Sequence, residues 1–209
     1  MLEDIIFDLD GTLWDSRKAL ARAWSKVVKA SPLGRGDISE ADLAKVMGKQ
    51  KDEISSILFY YLGEPERTKM IESCFEEEQV ELLKYGGQLY PDLENVLEKL
   101  SQYYRLYIVS NCQEGYIETF YKYHNLQRFF TDEENAERTG LSKGENILLL
   151  MQRNNIQETV YVGDTQRDYE AAKIAGIPFV YASYGFGLPD DFNYKIEKPL
   201  DLIELFVYK

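Results

Sequence analysis

The chain is poor in the residues that build metal knots, membrane spans or polyanion-binding surfaces. Among its 209 residues are two cysteines, one histidine and six prolines. Cys74 and Cys112 stand far apart in sequence, which argues against a disulfide scaffold and for a reduced, cytoplasmic setting. One histidine with two cysteines is too few for a structural zinc site. No run of eighteen or more apolar residues occurs, so no membrane-spanning helix is expected. The N-terminus enters an apolar segment at once, without a basic stretch leading into a hydrophobic one, and no signal peptide is expected. Basic residues are outnumbered 24 to 36, giving a net charge of -12. That balance argues against nucleic-acid binding and against docking on anionic lipid. It also sets a condition. An anionic substrate needs local positive charge from a metal, a lysine or helix N-termini.

What is present is an ordinary globular composition, 44% hydrophobic, long enough for one domain with an insertion or for two small domains. The first signal is an apolar run, Ile5, Ile6 and Phe7, leading into Asp8, Leu9, Asp10, Gly11 and Thr12. The run reads as a buried strand. Alternation along it points Asp8 and Asp10 to one side at the strand's C-terminal edge. Gly11 ends the strand and lets backbone approach a ligand. Two neighbouring carboxylates at neutral pH require a cation, a shared proton or a positive neighbour. The plainer alternative is a solvated turn, for which Asp-Gly is a common dipeptide.

Residues 14 to 85 read as helical throughout. Apolar positions recur at helical spacing, Ser39 with Asp42 forms a capping box, and Pro65 opens a last long helix that Gly86 and Gly87 end. Strand candidates follow at 106–109, 129–131, 159–162 and 177–181. Amphipathic helices are expected near 92–103, 114–125, 143–154 and 166–175. This alternation predicts an α/β fold, a doubly wound parallel sheet with helices on both faces. Such sheets bind ligands beyond the carboxyl ends of their strands, where Asp8, Asp10, Ser110, Asn111, Asp164 and Asp168 all fall. The expected division is a core of 1–13 and 87–209 with an inserted helical cap of 14–86. Its linkers are placed near residues 13–15 and 85–87.

Asp8, Leu9, Asp10, Gly11 and Thr12, then Val109, Ser110 and Asn111, then Lys143, then the stretch from Gly163 to Asp168 resemble, in order, the four motifs of the haloacid dehalogenase superfamily. The chain looks like its phosphoglycolate phosphatase and beta-phosphoglucomutase branch, which carries a helical cap after the first strand. The resemblance covers essentially the whole chain. It implies a phosphohydrolase with Asp8 as nucleophile and Asp10 as general acid and base. It implies Mg²⁺ held by Asp8, the backbone carbonyl of Asp10 and Asp164, with Asp168 in support. Ser110, Asn111 and Lys143 would hold the transferring phosphoryl group. Gly144 follows the lysine where the family often has proline.

On the cap side, Trp14, Gly48 and Lys49 are the candidates for contact with the leaving group, of which residues 47–51 also admit reading as a plain interhelical turn. Asp168 also admits reading as a helix N-terminal acid, and His124 reads as a packing residue. A small phosphorylated metabolite is the expected partner: phosphoglycolate, a sugar phosphate or a nucleotide. Alternatives of the same fold are a phosphohexose mutase, a dehalogenase proper, which lacks an acid where Asp10 stands, and a phosphonate-cleaving enzyme using a cap lysine. A non-enzymatic phospho-receiver is the alternative from another class. Oligomeric state is not readable from the sequence.

Overall fold

Strand β1 (Asp4–Phe7) is the centre of the molecule because it has no polar face to turn to water. Ile5, Ile6 and Phe7 are completely buried, and their alternation divides them between two cores. Ile5 and Phe7 join the larger one; Ile6 joins the smaller one on the other side of the sheet. In the computed structural model, which describes residues 2–208, six parallel strands run in the order β5 (Phe130–Asn135), β4 (Arg105–Ser110), β1, β6 (Thr159–Gly163), β7 (Phe179–Ala182) and β8 (Tyr194–Ile196). Strands buried on both faces read as continuous apolar runs, as β1, β4 and β6 do.

The chain leaves β1, returns beside it as β4, and later adds β6 on its other side. The sheet therefore reverses direction of growth at β1, which opens a crevice at its carboxyl end. Register makes the strand ends level: Phe7 pairs with both Ile108 and Val162. Asp8, Ser110 and Asp164 thus leave the sheet together.

Helices α5 (Leu93–Leu100), α6 (Tyr116–His124), α8 (Lys143–Arg153) and α9 (Gln166–Ala175) fall where the periodicity predicts them. Short α7 (Ala136–Thr139), terminal α10 (Asp201–Phe206) and strand β8 have no counterpart in the sequence reading; each is too short for a period to emerge. Between the two linkers lie α1 (Arg17–Ala30), α2 (Glu40–Ala44), α3 (Lys51–Leu58) and α4 (Glu66–Tyr85). The Ser39–Asp42 capping box is present. One expectation needs correction. The stretch is not helical from its first residue, because Trp14–Asp15 forms β2, paired antiparallel with β3 (Gln88–Leu89). The two linkers hydrogen-bond to each other and form a small ribbon at the base of the helices.

Candidate active site

Asp8 is held by strand β1, and its backbone N–H donates to the Val162 carbonyl at 2.8 Å. Its carboxylate accepts a hydrogen bond from the Lys143 ammonium at 2.9 Å, while the same ammonium donates to Asp168 at 2.6 Å. All three side chains are buried. Lys143 is the first residue of α8, and a Ser142–Glu145 capping box fixes that helix start. The departure from proline at 144 has a packing reason. A Cβ on Gly144 would stand 2.8 Å from the Ile174 side chain, so glycine lets α8 close on α9 and bring Lys143 to Asp168.

Asp164 follows β6. Asp168 closes a capping box with Thr165 at the start of α9. One Asp168 oxygen takes the Lys143 bond. The other accepts from the backbone N–H of Asp164 and Thr165 and from the Thr165 hydroxyl. Its acceptor capacity is spent on protein donors. Asp164 differs: Oδ2 accepts from the Phe186 N–H at 2.6 Å, and Oδ1 is buried without a partner. Oxygens of Asp8, Asp164 and Asp168 lie within 4.8 Å of one another. An orphaned carboxylate oxygen in such a group fits a hard divalent cation such as Mg²⁺. Gly11 presses against this group at φ +83°; a Cβ there would lie 2.2 Å from Asp164 Oδ2.

The electrostatics follow from crowding. Burial and the neighbouring Asp168 push the Asp8 carboxyl above the usual range, against the pull of Lys143. Burial, with Asp168 and Asp8 alongside, pushes Asp164 well up. Burial also works against the Lys143 ammonium, but Asp168 and Asp8 together hold its pKa above the ordinary lysine value.

Asp10 stands apart from this group. Its Oδ1 accepts from the Ser16 hydroxyl at 2.5 Å and the Tyr116 hydroxyl at 3.1 Å. Burial pushes its pKa up to about 6, against those hydrogen bonds. Asp8 and Asp10 open into one cavity of about 270 Å³, roofed by residues 47–51 and floored by Ser110 and Asn111. The Asn111 amide donates to the Gly48 carbonyl at 2.9 Å, which ties the segment between α2 and α3 to the end of β4. Gly48 and Lys49 therefore do line the cavity.

Trp14 does not. It is completely buried and packs on Tyr116 and Phe120 at ring-centroid distances of 5.6 and 5.1 Å. The indole is large and the β2–β3 ribbon carries it inward, so it anchors the linker rather than touching a ligand. His124 packs on the same indole, as expected. Sequence reasoning also missed Tyr116, Gln113 and Glu78 in the cavity wall, Ser16 bonded to Asp10, and the Phe186 amide. The only signal for the last was the pair Gly185 and Gly187 just past β7.

The profile of the haloacid dehalogenase-like hydrolases matches residues 5–182. The chain belongs to this family. A phosphoglycolate phosphatase of Aquifex aeolicus is 29% identical over 211 residues, covering 96% of this chain and 95% of the relative. One of Vibrio parahaemolyticus is 29% identical over 194 residues, covering 87% and 84%. Among solved structures, a haloacid dehalogenase-like hydrolase of Streptococcus pneumoniae superimposes with a TM-score of 0.84 at 25% identity, covering 98% of both chains. A beta-phosphoglucomutase of Clostridium difficile, at 17% identity and a TM-score of 0.78 over 100% of this chain and 96% of its own, shares the fold. The chain is an enzyme of this hydrolase family, and the curated relatives named here bear phosphatase names.

Proposed function

We propose that this enzyme is a Mg²⁺-dependent phosphomonoester hydrolase that acts on a small phosphorylated metabolite through an aspartyl-phosphate. The observation that carries the reading is the buried Asp8, held by Lys143, beside an Asp10 whose pKa of about 6 suits acid and base work near neutral pH. Asp8 attacks phosphorus, forming a P–O bond as the ester P–O bond breaks. The leaving oxygen takes the Asp10 proton and departs as the alcohol. Asp10 then accepts a proton from water, the water oxygen attacks phosphorus, and Asp8 is released with inorganic phosphate. Ser16 and Tyr116 keep Asp10 aimed throughout. Lys143 and the Ser110 and Asn111 end of β4 hold the phosphoryl oxygens.

Asp8, Asp164 and the Asp10 carbonyl would hold Mg²⁺, with Asp168 supporting from behind because its oxygens already have donors. The ion supplies positive charge that lets a phosphate dianion enter an acidic site. Residues 14–86 act as a cap over the core of 1–13 and 87–209, closing on the substrate and excluding water. The substrates are soluble metabolites of the cytoplasm. No helix among the described residues is long and apolar enough to cross a membrane. Phosphoglycolate, which the relatives' names put forward, stands beside sugar phosphates and nucleotides as a candidate. The phospho-receiver alternative is not favoured, since the family is one of hydrolases. Hydrolysis of p-nitrophenyl phosphate with Mg²⁺, and its loss in chelator, tests the reading; full activity in chelator sinks it.

A further inference from the structure

Glu78 has no part in the chemistry above, yet it is buried in the wall of the same cavity. It lies in the middle of α4, on the inner side of the helical insertion, and is 1% exposed. A glutamate in that position is expensive unless something compensates it. Its Oε2 accepts from the Trp24 indole N–H at 2.6 Å, and its Oε1 accepts a short bond from the Gln113 amide. Both partners donate, and neither brings charge. Among the described residues no ion pair to Glu78 is formed. A carboxylate offers about four lone-pair sites, and these two bonds leave capacity unspent. Burial pushes the Glu78 pKa up to about 8, with nearby Asp10 adding to the rise. The surroundings are aromatic: Trp24, Phe75 and Tyr116 line the cavity with it. Tyr116 also donates to Asp10, the group that must meet the leaving oxygen. Glu78 therefore belongs to the end of the cavity that receives the alcohol rather than the phosphate.

We propose that Glu78 is a specificity-determining residue: it selects a phosphate ester whose alcohol carries a hydrogen-bond donor, a hydroxyl or an ammonium, and disfavours an alcohol that carries a carboxylate. The proposal rests on the phosphomonoesterase reading and narrows it. A donor on the alcohol fills the unspent acceptor capacity of Glu78, and an ammonium would in addition supply the missing countercharge beside aromatic faces that attract cations. A carboxylate placed there meets the ionised form of Glu78 together with Asp10. The cationic side chains of the cavity lining are Lys49, in the segment between α2 and α3, and Lys51, the first residue of α3, which is paired with Glu72 at 2.8 Å.

The test compares kcat/KM, with Mg²⁺ and at pH about 8.5 where Glu78 is mostly ionised, for glycerol 3-phosphate (hydroxyl), phosphoethanolamine (ammonium), phosphoglycolate (carboxylate) and p-nitrophenyl phosphate, on the wild-type chain and on Glu78→Gln. In the wild type, one or both donor-bearing esters should exceed phosphoglycolate by about tenfold or more, the size of a hydrogen bond to a charged group. Glu78→Gln keeps the shape and loses the charge, so that ratio should fall about tenfold. Glycerol 3-phosphate and phosphoethanolamine show which donor is preferred. Phosphoglycolate hydrolysed as well as both donor esters overturns the proposal, and this ranking needs only the wild type, so it decides even if the variant does not fold. A folded variant with unchanged ratios assigns Glu78 a purely structural tie between α1, α4 and the core, which also overturns it. No hydrolysis of p-nitrophenyl phosphate by the wild type overturns the phosphatase reading itself.

Discussion

Asp8 and Asp10 are chemically identical and two positions apart, yet their neighbours divide the work between them. Asp8 faces an ammonium, whereas Asp10 faces two hydroxyls and no cation. Burial raises both carboxyls; Lys143 opposes the rise at Asp8, and the two hydroxyls oppose it at Asp10, which stands at about 6. Asp8→Asn should abolish turnover, a loss of about a thousandfold or more, because an amide is not a competent nucleophile. Asp10→Asn should still accumulate a phosphorylated chain from an aryl phosphate, whose leaving group needs little protonation, and then release phosphate slowly. Intact-protein mass spectrometry after rapid quenching separates the two variants. Lys143→Ala removes what is, among the described residues, the only cation bonded to Asp8 and Asp168. Breaking a buried ion pair from one side costs about 3–5 kcal/mol, and urea unfolding without metal should show a loss of that order.

At the scale of elements, the proposed catalytic groups come from strand ends and helix starts, and the rest of the cavity lining includes Glu78 of α4 and the segment between α2 and α3. That segment touches the core at one hydrogen bond, Asn111 to Gly48, and the neighbouring Glu53 on α3 makes a bidentate pair with Arg167 on α9. These contacts tie the helical insertion to the core beside the cavity, while the β2–β3 ribbon lies where the two linkers meet. Lys49→Ala should therefore reduce kcat/KM for the best metabolite at least several-fold more than for p-nitrophenyl phosphate, whose nitro group is only a weak, uncharged acceptor for the lysine. Side-by-side kinetics on both substrates decide it: equal losses would remove Lys49 from recognition.

For the whole molecule, the acidic crowding has a thermodynamic consequence. The carboxyls of Asp8, Asp10, Asp164 and Glu78 all have pKa values raised in the folded state, Asp10 to about 6 and Glu78 to about 8. Between the ordinary carboxylate range and those values the folded chain holds more protons than the unfolded one. Its stability must then fall as pH rises through that window. Thermal unfolding in chelator should show a lower Tm at pH about 8 than at pH about 5.5. Mg²⁺ competes with protons for the same oxygens, so it should stabilise most at the higher pH. At a hundred times its Kd, a ligand adds about 2.7 kcal/mol, which for a chain of this size is roughly 5–11 °C in Tm. A Tm indifferent to both pH and Mg²⁺ would contradict the charge arrangement.

The sequence by itself determined what depends on local period and chain order. Alternation in Ile5, Ile6 and Phe7 assigned them to opposite faces of a buried sheet, and strand–helix alternation made that sheet parallel. Asp8, Asp10, Ser110, Asp164 and Asp168 were legible because each sits at or just after a strand end, where a short local pattern carries the information, whereas Lys143 stood out only through its place in the ordered set of motifs. What only the tertiary structure decided depends on contacts between distant residues. Trp14 looks like a ligand-facing residue beside the catalytic loop until the pairing of Trp14–Asp15 with Gln88–Leu89 turns it inward. Glu78 reads as one acid among many on a long helix until α1 and the end of β4 bring Trp24 and Gln113 to it. The Phe186 amide reaches Asp164 only because β7 lies beside β6. Such partners are 22 to 75 residues apart in the chain. No local period encodes that distance; the register of the sheet and the packing of the helices do.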